Sequence, residues 1–350
     1  MIYLHNKELM KELKIHLKGL KLLKNSTREV ELSFKDNMLK VTSVNKQEHR
    51  MTTLTSFEGT VEDINLFVNV EEFLNSLKLS NEVELTSTSM KIGRVTINSL
   101  PSMEYTFPAL KEAKTYAIDF KAFNKAAKKV SIVLPDKDEV RDYMFNYFLN
   151  EGNVICSDGH RIGSASILEK GIDAVIPSSL GFMLPLLDKE GYIEADEYNL
   201  ILKTDTVSIQ QTLDNYTNPM LSVFYKVKDI LAGIESSTHV VQTEELMLYI
   251  KHLNNFVGRT KKDKYSPVKL SFKDNKLTIQ NPNLSTVFTL EVSSSTEATF
   301  SINGDYLYKT LSICKSKQIT LTLTNLYLNV KDGQSNVNQT VNQTICAMRL

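Results

Sequence analysis

The chain has 350 residues, 23% of them charged, and its 41 basic and 41 acidic side chains balance to zero. That length holds two or three domains with ordinary cores, and a neutral balance excludes any argument for nucleic acid from net charge, leaving only its distribution to make one. Cys156, Cys314 and Cys346 stand far apart with no Cys/His ligand spacing, which argues against a disulfide frame, a metal site or a cofactor and for a reducing, cytoplasmic compartment.

The N-terminal MIYLHNKELMKEL has no unbroken apolar run, and nowhere does an apolar stretch approach the ~18 residues of a membrane span. A short strand leads into a helix. Lys7, Lys11, Lys14, Lys18 and Lys21 fall within about 80° of one another at helical spacing. Leu9, Leu13, Leu17 and Leu20 form a second stripe roughly 130° away, the face expected to pack on a sheet. The string LSFKDN at Leu32 to Asn37 and the run MLKVTSV read as a hairpin of alternating strands. A second helix, VEEFLNSLKL from Val70, precedes further alternation at Val83-Glu84-Leu85, Lys91-Ile92 and Val95-Thr96-Ile97.

The next helix lies in YAIDFKAFNKAAKKV, Tyr116 to Val130. Placed on the first helix 114 residues earlier, its Lys121, Lys125 and Lys128 fall on Lys7, Lys11 and Lys14, opposite Phe120, Phe123 and Ala127. The turn Asn150 to Asn153 then falls near the end of the first LSFKDN, and PSSLGFMLPLL from Pro177 reads as the second helix of this unit. Strands follow at Leu200-Ile201-Leu202 and Val207-Ser208-Ile209. The segment TEELMLYIK repeats NKELMKELK 237 residues on and keeps Lys251, with Lys261, Lys262 and Lys264 beyond it. LSFKDN recurs at Leu270 to Asn275, 238 residues after its first copy, and GDYLYKTLSI from Gly304 is the last helix before Ile319-Thr320-Leu321-Thr322-Leu323. KDN, EGN and KDG read as hairpin turns.

Three units of about 115 residues follow, bounded at 1–113, 114–236 and 237–350, each with two helices on antiparallel strands in an α+β arrangement. The repeated register of lysines, with no aromatic interleaving and no Trp, points to phosphate contact without base readout. The residues expected to make it are Lys7, Lys11, Lys14, Lys24, Lys121, Lys125, Lys128 and Lys251.

An enzyme is the competing class. Cys156, Asp158 and His160 alternate along one strand and turn, which could pair a thiol with a base. A base usually comes from elsewhere in the fold, and no P-loop, GxGxxG or metal set accompanies them, so no catalytic activity is expected.

Several motifs in order carry a resemblance: LPSMEYTFPAL from Leu100, VRDYMFN from Val140, SDGHRIG from Ser157, Val175-Ile176-Pro177, Asn218-Pro219 through Phe224, and the ending TICAMRL. With them the chain resembles the bacterial DNA polymerase III beta subunit, the sliding clamp, as a divergent member of the kind that phages or mobile elements encode. The resemblance implies a ring-forming clamp. Three domains make a crescent, two crescents close head to tail as a homodimer, helices line a hole around duplex DNA, and sheets form the outer wall. It implies that polymerase and clamp-loader peptides dock in a groove of Met144, Ser157, Gly159, His160, Arg161, Ile162, Pro219, Phe224, Thr344, Cys346, Met348, Arg349 and Leu350. It implies a dimer interface joining Phe107 and Leu110 to Phe256 and Val257. Ala347, Cys346 and Phe224 depart from the family's Pro, Met and Val, which leaves the peptide preference open. A clamp-like decoy or adaptor, binding polymerase peptides without encircling DNA, is the alternative role. No membrane partner is expected.

Overall fold

The computed structural model describes residues 1–21, 28–45, 49–102, 107, 109–135, 145–167, 170–213, 224–226, 229, 236–256, 267–294, 296–332 and 341–346. Of these, the side chains of residues 45, 49, 182, 256, 294, 341–344 and 346 are not described.

The elements come in three similar series. The first runs β1 (Ile2–Leu4), α1 (Asn6–Lys21), β2 (Glu29–Lys35), β3 (Met38–Asn45), β4 (His49–Gly59), β5 (Ile64–Asn69), α2 (Val70–Ser76), β6 (Glu82–Leu85), β7 (Ser89–Ile92) and β8 (Val95–Asn98). The second runs β9 (Lys114–Asp119), α3 (Phe120–Val130), β10 (Asn146–Asn150), β11 (Asn153–Ser157), β12 (Arg161–Ser166), β13 (Ala174–Pro177), β14 (Glu190–Ala195), β15 (Asn199–Lys203) and β16 (Val207–Thr212). The third runs β17 (Ser237–Gln242), α4 (Thr243–Phe256), β18 (Pro267–Lys273), β19 (Lys276–Gln280), β20 (Val287–Glu291), β21 (Ser293–Ser294), β22 (Ala298–Asn303), α5 (Gly304–Ile313), β23 (Gln318–Leu323), β24 (Tyr327–Asp332) and β25 (Val341–Cys346).

Local chemistry explains why the first and third series match. Strands β2 and β18 bury the same alternate positions, Val30, Leu32 and Phe34 in one and Val268, Leu270 and Phe272 in the other. Each is followed by a two-residue turn with Asp36 and Asn37, or Asp274 and Asn275, at φ of 49°, 60°, 51° and 57°. Positive φ at both central residues gives the turn whose twist suits a hairpin, and Asn and Asp tolerate it. The EGN turn of the second series uses Glu151 and Gly152 in the same region, φ 45° and 75°. Asn69 Oδ1 accepts from Glu71 N at 2.9 Å and Glu72 N at 3.3 Å, and Asn303 Oδ1 from Asp305 N at 3.0 Å, so an asparagine caps α2 and α5 alike. The KDG turn reaches residue 333, outside the described residues.

By contact the chain forms two compact units, Met1–Lys121 with Ser179–Tyr216, and Ala122–Ser178 with Thr217–Leu350. In the first unit one sheet runs β8-β7-β6-β1-β4-β16-β15-β14-β9, with β3, β2 and β5 continuing from β4. Its core gathers Leu9, Leu13 and Leu20 of α1 against Leu32, Phe34, Leu39, Val41, Leu66, Val68 and Phe73. In the second unit one sheet runs β13-β10-β11-β12-β25-β24-β23-β17-β21 and another β20-β19-β18-β22. Leu246, Ile250 and Leu253 of α4 pack there with Leu270, Phe272, Leu277, Ile302, Leu307, Leu321 and Ile345.

Two expectations fail in detail. The segment from Pro177 forms two 3-10 turns, Ser178–Phe182 and Leu184–Leu186, in place of the helix that its apolar spacing suggests. Pro185 has no N–H to donate and its ring collides with the preceding turn, so the helix cannot propagate. Leu180, Met183, Leu184 and Leu187 are buried all the same. On α1 the buried stripe is Leu9, Leu13, His16 and Leu20, while Leu17 is only partly buried. Steps of four, three and four centre the stripe on His16, whose Nδ1 lies 2.7 Å from Ser43 Oγ and Nε2 3.1 Å from Thr53 Oγ1.

Candidate nucleic-acid interface and peptide groove

The lysine rows are where an amphipathic helix must put them. With their apolar faces packed, α1 exposes Lys7, Lys11 and Lys14, α3 exposes Lys121, Lys125 and Lys128, and α4 exposes Lys251. Lys24, Lys261, Lys262 and Lys264 lie outside the described residues. Lys21 is committed elsewhere: its Nζ is 2.7 Å from Glu71 Oε1 on α2, and Arg28 Nη1 is 2.6 Å from Glu71 Oε2. The bonds from Lys21 and then Arg28 hold the Glu71 carboxyl below its ordinary value. Half-buried Lys129, which the sequence reading passed over, has its ammonium pushed down by burial and then by Lys125.

The groove turn lies in the second unit between β11 and β12. Gly159 takes φ 82°, which favours a residue without Cβ. Its N–H donates to Ser157 Oγ at 3.0 Å. Asp158 Oδ1 accepts from the His160 and Arg161 amides at 2.9 and 2.7 Å. Asp158 Oδ2 accepts from Arg161 Nε at 2.8 Å and lies 2.7 Å from Nη2, a forked pair with the two side chains 5% and 4% exposed. A buried pair of this kind costs most when one partner is removed, because the other charge is left uncompensated. Arg161 Nη1 is buried and has no hydrogen-bond partner among the described residues. The guanidinium carbon sits 4.3 Å from the centroid of the Tyr306 ring, and His160 stacks on that ring at 6.1 Å and 28°.

Beside this turn Phe148 and Ile155 form a buried pair, on which Ile162, Val175 and Phe224 pack while remaining partly exposed. The Tyr225 hydroxyl donates to Asn150 Oδ1. Strand β25 lies antiparallel to β12, with Arg161 opposite Ile345 and Ile162 opposite Thr344, and Cys346 opposes Tyr327 of β24. The fold thus brings Ser157, Gly159, His160, Arg161 and Ile162 onto one turn, Phe224 onto the same Phe148–Ile155 pair as Ile162, and the backbones of Thr344 and Cys346 alongside. Met144, Pro219, Met348, Arg349 and Leu350 lie outside the described residues, and so does Ala347.

Tyr306 is the contributor that sequence reasoning missed. It stands 145 residues from Arg161 in sequence, and its only local signal is an aromatic side chain in the first turn after an asparagine cap. For the expected dimer contact, Phe107 and Leu110 are partly buried, α4 ends at Phe256, whose side chain is not described, and Val257 lies outside the described residues. Among the described residues β20 pairs with β19 and with no other strand.

Cys156 and Asp158 do not make an activated thiol. Cys156 is fully buried and burial raises its thiol well above the ordinary value, while the Asp158 carboxylate is taken by Arg161. Among the described residues no group of three or more His, Cys, Asp or Glu could hold a metal ion, and no helix is long and apolar enough to cross a membrane.

No family model and no curated protein matches the sequence. Solved structures do match the fold. The DNA polymerase III subunit beta of Pseudomonas aeruginosa superposes with a TM-score of 0.79 at 17% identity, over 100% of both chains. The subunit beta of Borrelia burgdorferi gives 0.76 at 16%, again over 100% of both. The beta sliding clamp of Caulobacter crescentus gives 0.79 at 12%, over 100% of this chain and 99% of that one. From end to end, the chain has the fold of the bacterial DNA polymerase III beta subunit, the sliding clamp.

Proposed function

We propose that this protein is a DNA sliding clamp, a cytoplasmic processivity factor without bond chemistry of its own. In this reading, residues 1–113, 114–236 and 237–350 are three domains, and two chains close head to tail around duplex DNA. The observation that carries the reading is the correspondence of fold over the whole of both chains. It is supported by lysines exposed in register on α1 and α3, since weak, exchangeable phosphate contacts let a topologically linked ring slide without sequence preference. Closure would also cover the side of β20 that pairs with no strand among the described residues, an edge of the kind that proteins ordinarily pair or protect.

The groove would serve replication proteins through short linear peptides. Ile162, Val175 and Phe224 offer an apolar floor, and Arg161 Nη1 offers a buried donor for a peptide carbonyl or carboxylate. Met144, Pro219, Thr344, Cys346, Met348, Arg349 and Leu350 are proposed to complete it, and Phe107, Leu110, Phe256 and Val257 to join the protomers.

Sedimentation at micromolar concentration tests the ring. The expected species has twice the 39.7 kDa chain mass, and Phe256→Ala with Val257→Ala yields folded monomers. A wild-type monomer at that concentration contradicts the proposal. Deleting residues 348–350 should weaken a polymerase-derived peptide at least ~10-fold, the loss of one or more buried anchors worth about 1–3 kcal/mol.

A further inference from the structure

The first helix of each series can be laid on the others by its own sequence, with α3 114 residues and α4 237 residues after α1. Lys7, Lys11 and Lys14 of α1 then correspond to Lys121, Lys125 and Lys128 of α3 and to Glu244, Leu248 and Lys251 of α4. All nine side chains are exposed. The first two rows carry three positive charges each. The third carries one of each sign around a leucine that is 60% exposed.

We infer that duplex phosphates are held by the α1 and α3 rows alone, and that Glu244 and Leu248 withdraw the α4 face from contact, Lys251 included, which revises the expectation that its spacing on the helix raised. The inference rests on the clamp reading and assigns the labour within it. A phosphate approaching Lys251 along this row meets the Glu244 carboxylate on the same face and Glu245 beside it. Both stand in the first turn of α4, but Glu245 corresponds to Glu8 in the first turn of α1, so the acid peculiar to α4 is Glu244, which stands where α1 has Lys7 and adds to the offset of the partial positive charge with which a helix start attracts anions. Leu248 has no donor for a phosphate oxygen. On α3 the place of Glu244 is taken by Lys121, and the acid at the helix start is Asp119, which precedes the helix and accepts from Lys121 N at 2.8 Å. An exposed leucine between a row's two charged ends costs solubility without gain in a phosphate-binding face. It is tolerable on a face past which DNA slides without touching.

The test is the salt dependence of binding to a duplex with no preferred sequence, because each phosphate neutralised contributes about 0.9 to the slope of log K against log salt. Lys11→Glu and Lys125→Glu should each flatten that slope by about 1, and Lys251→Glu should leave it unchanged. The double change Glu244→Lys and Leu248→Lys, which gives α4 the row of α1, should steepen it by about 2. All variants are first shown by circular dichroism to be folded. Lys251→Glu flattening the slope as much as Lys11→Glu, or the double change leaving it unaltered, overturns the inference while the clamp reading stands. Wild type that binds no duplex at low salt removes both together.

Discussion

The first and third series share a scaffold and differ in what they put under and over it. Their hairpins carry the same LSFKDN string, bury the same alternate positions and turn through the same positive-φ pair. Their second helices begin on an asparagine cap. Each has an exposed lysine–acid pair at the hairpin, Lys35 with Asp63 at 2.7 Å and Lys273 with Glu297 at 3.5 Å. The first helices diverge. Under α1 lie Glu12 and His16, bonded to Thr55 and to Ser43 and Thr53. The corresponding residues of α4 are Tyr249, stacked on Phe288 at 4.5 Å, and buried Leu253. Turn chemistry and core alternation fix the scaffold, so they recur. The underside of a helix needs only shape and satisfied polar groups, and can be met by a polar set or an aromatic one.

If the scaffolds are equivalent, equivalent core deletions should cost alike. Phe34→Ala and Phe272→Ala should each lower stability by about 3–5 kcal/mol, read from urea titrations of each variant against wild type. A large loss from one with little from the other would break the equivalence. The caps should separate the two more finely. Asn69→Ala removes an acceptor shared by two amides and Asn303→Ala one serving a single amide. Both should cost about 1 kcal/mol, with Asn69→Ala the larger; the reverse order would show that hydrogen-bond count does not decide.

A smaller effect should come from Glu12 and His16 under α1, whose counterparts on α4 are Tyr249 and Leu253. Burial raises the Glu12 carboxyl above its ordinary 4.5, against the bonds from Thr55 and Thr53. An acid raised by folding binds its proton more tightly in the folded chain. Its stabilising contribution is therefore present below the ordinary value and lost as pH rises through the raised one. Glu12→Gln keeps an acceptor for Thr55 and removes the buried charge. It should melt higher than wild type at pH 7, and the difference should close below about pH 4; a Gln variant that melts lower at neutral pH would refute this account. Least of all should follow from Lys35→Met and Lys273→Met. Both ion pairs are more than 60% exposed, so neither change should move the urea midpoint measurably.

Much of this was legible in the sequence because it rests on short-range rules. Period-two alternation located β2 and β18, and the KDN strings located their turns. Steps of three and four separated Lys7, Lys11 and Lys14 from Leu9 and Leu13. What stayed hidden depends on chain segments meeting in space. His16 reads as one polar residue on a helix until Ser43 and Thr53 arrive beneath it. Tyr306 has no reason to belong with Arg161 until α5 is placed over the turn. The failed helix after Pro177 is different: Pro185 is itself a local signal against a helix, and the apolar spacing of Leu180, Met183, Leu184 and Leu187 fits two 3-10 turns as well.

Topological retention tests the clamp account most directly. The protein is mixed with linear duplex, both ends are then blocked with a bulky protein, and the DNA is washed in salt high enough to screen phosphate contacts. A ring threaded from the ends should stay on blocked duplex through the wash and leave once the duplex is cut. Equal loss from blocked and open duplex in that wash would contradict encirclement.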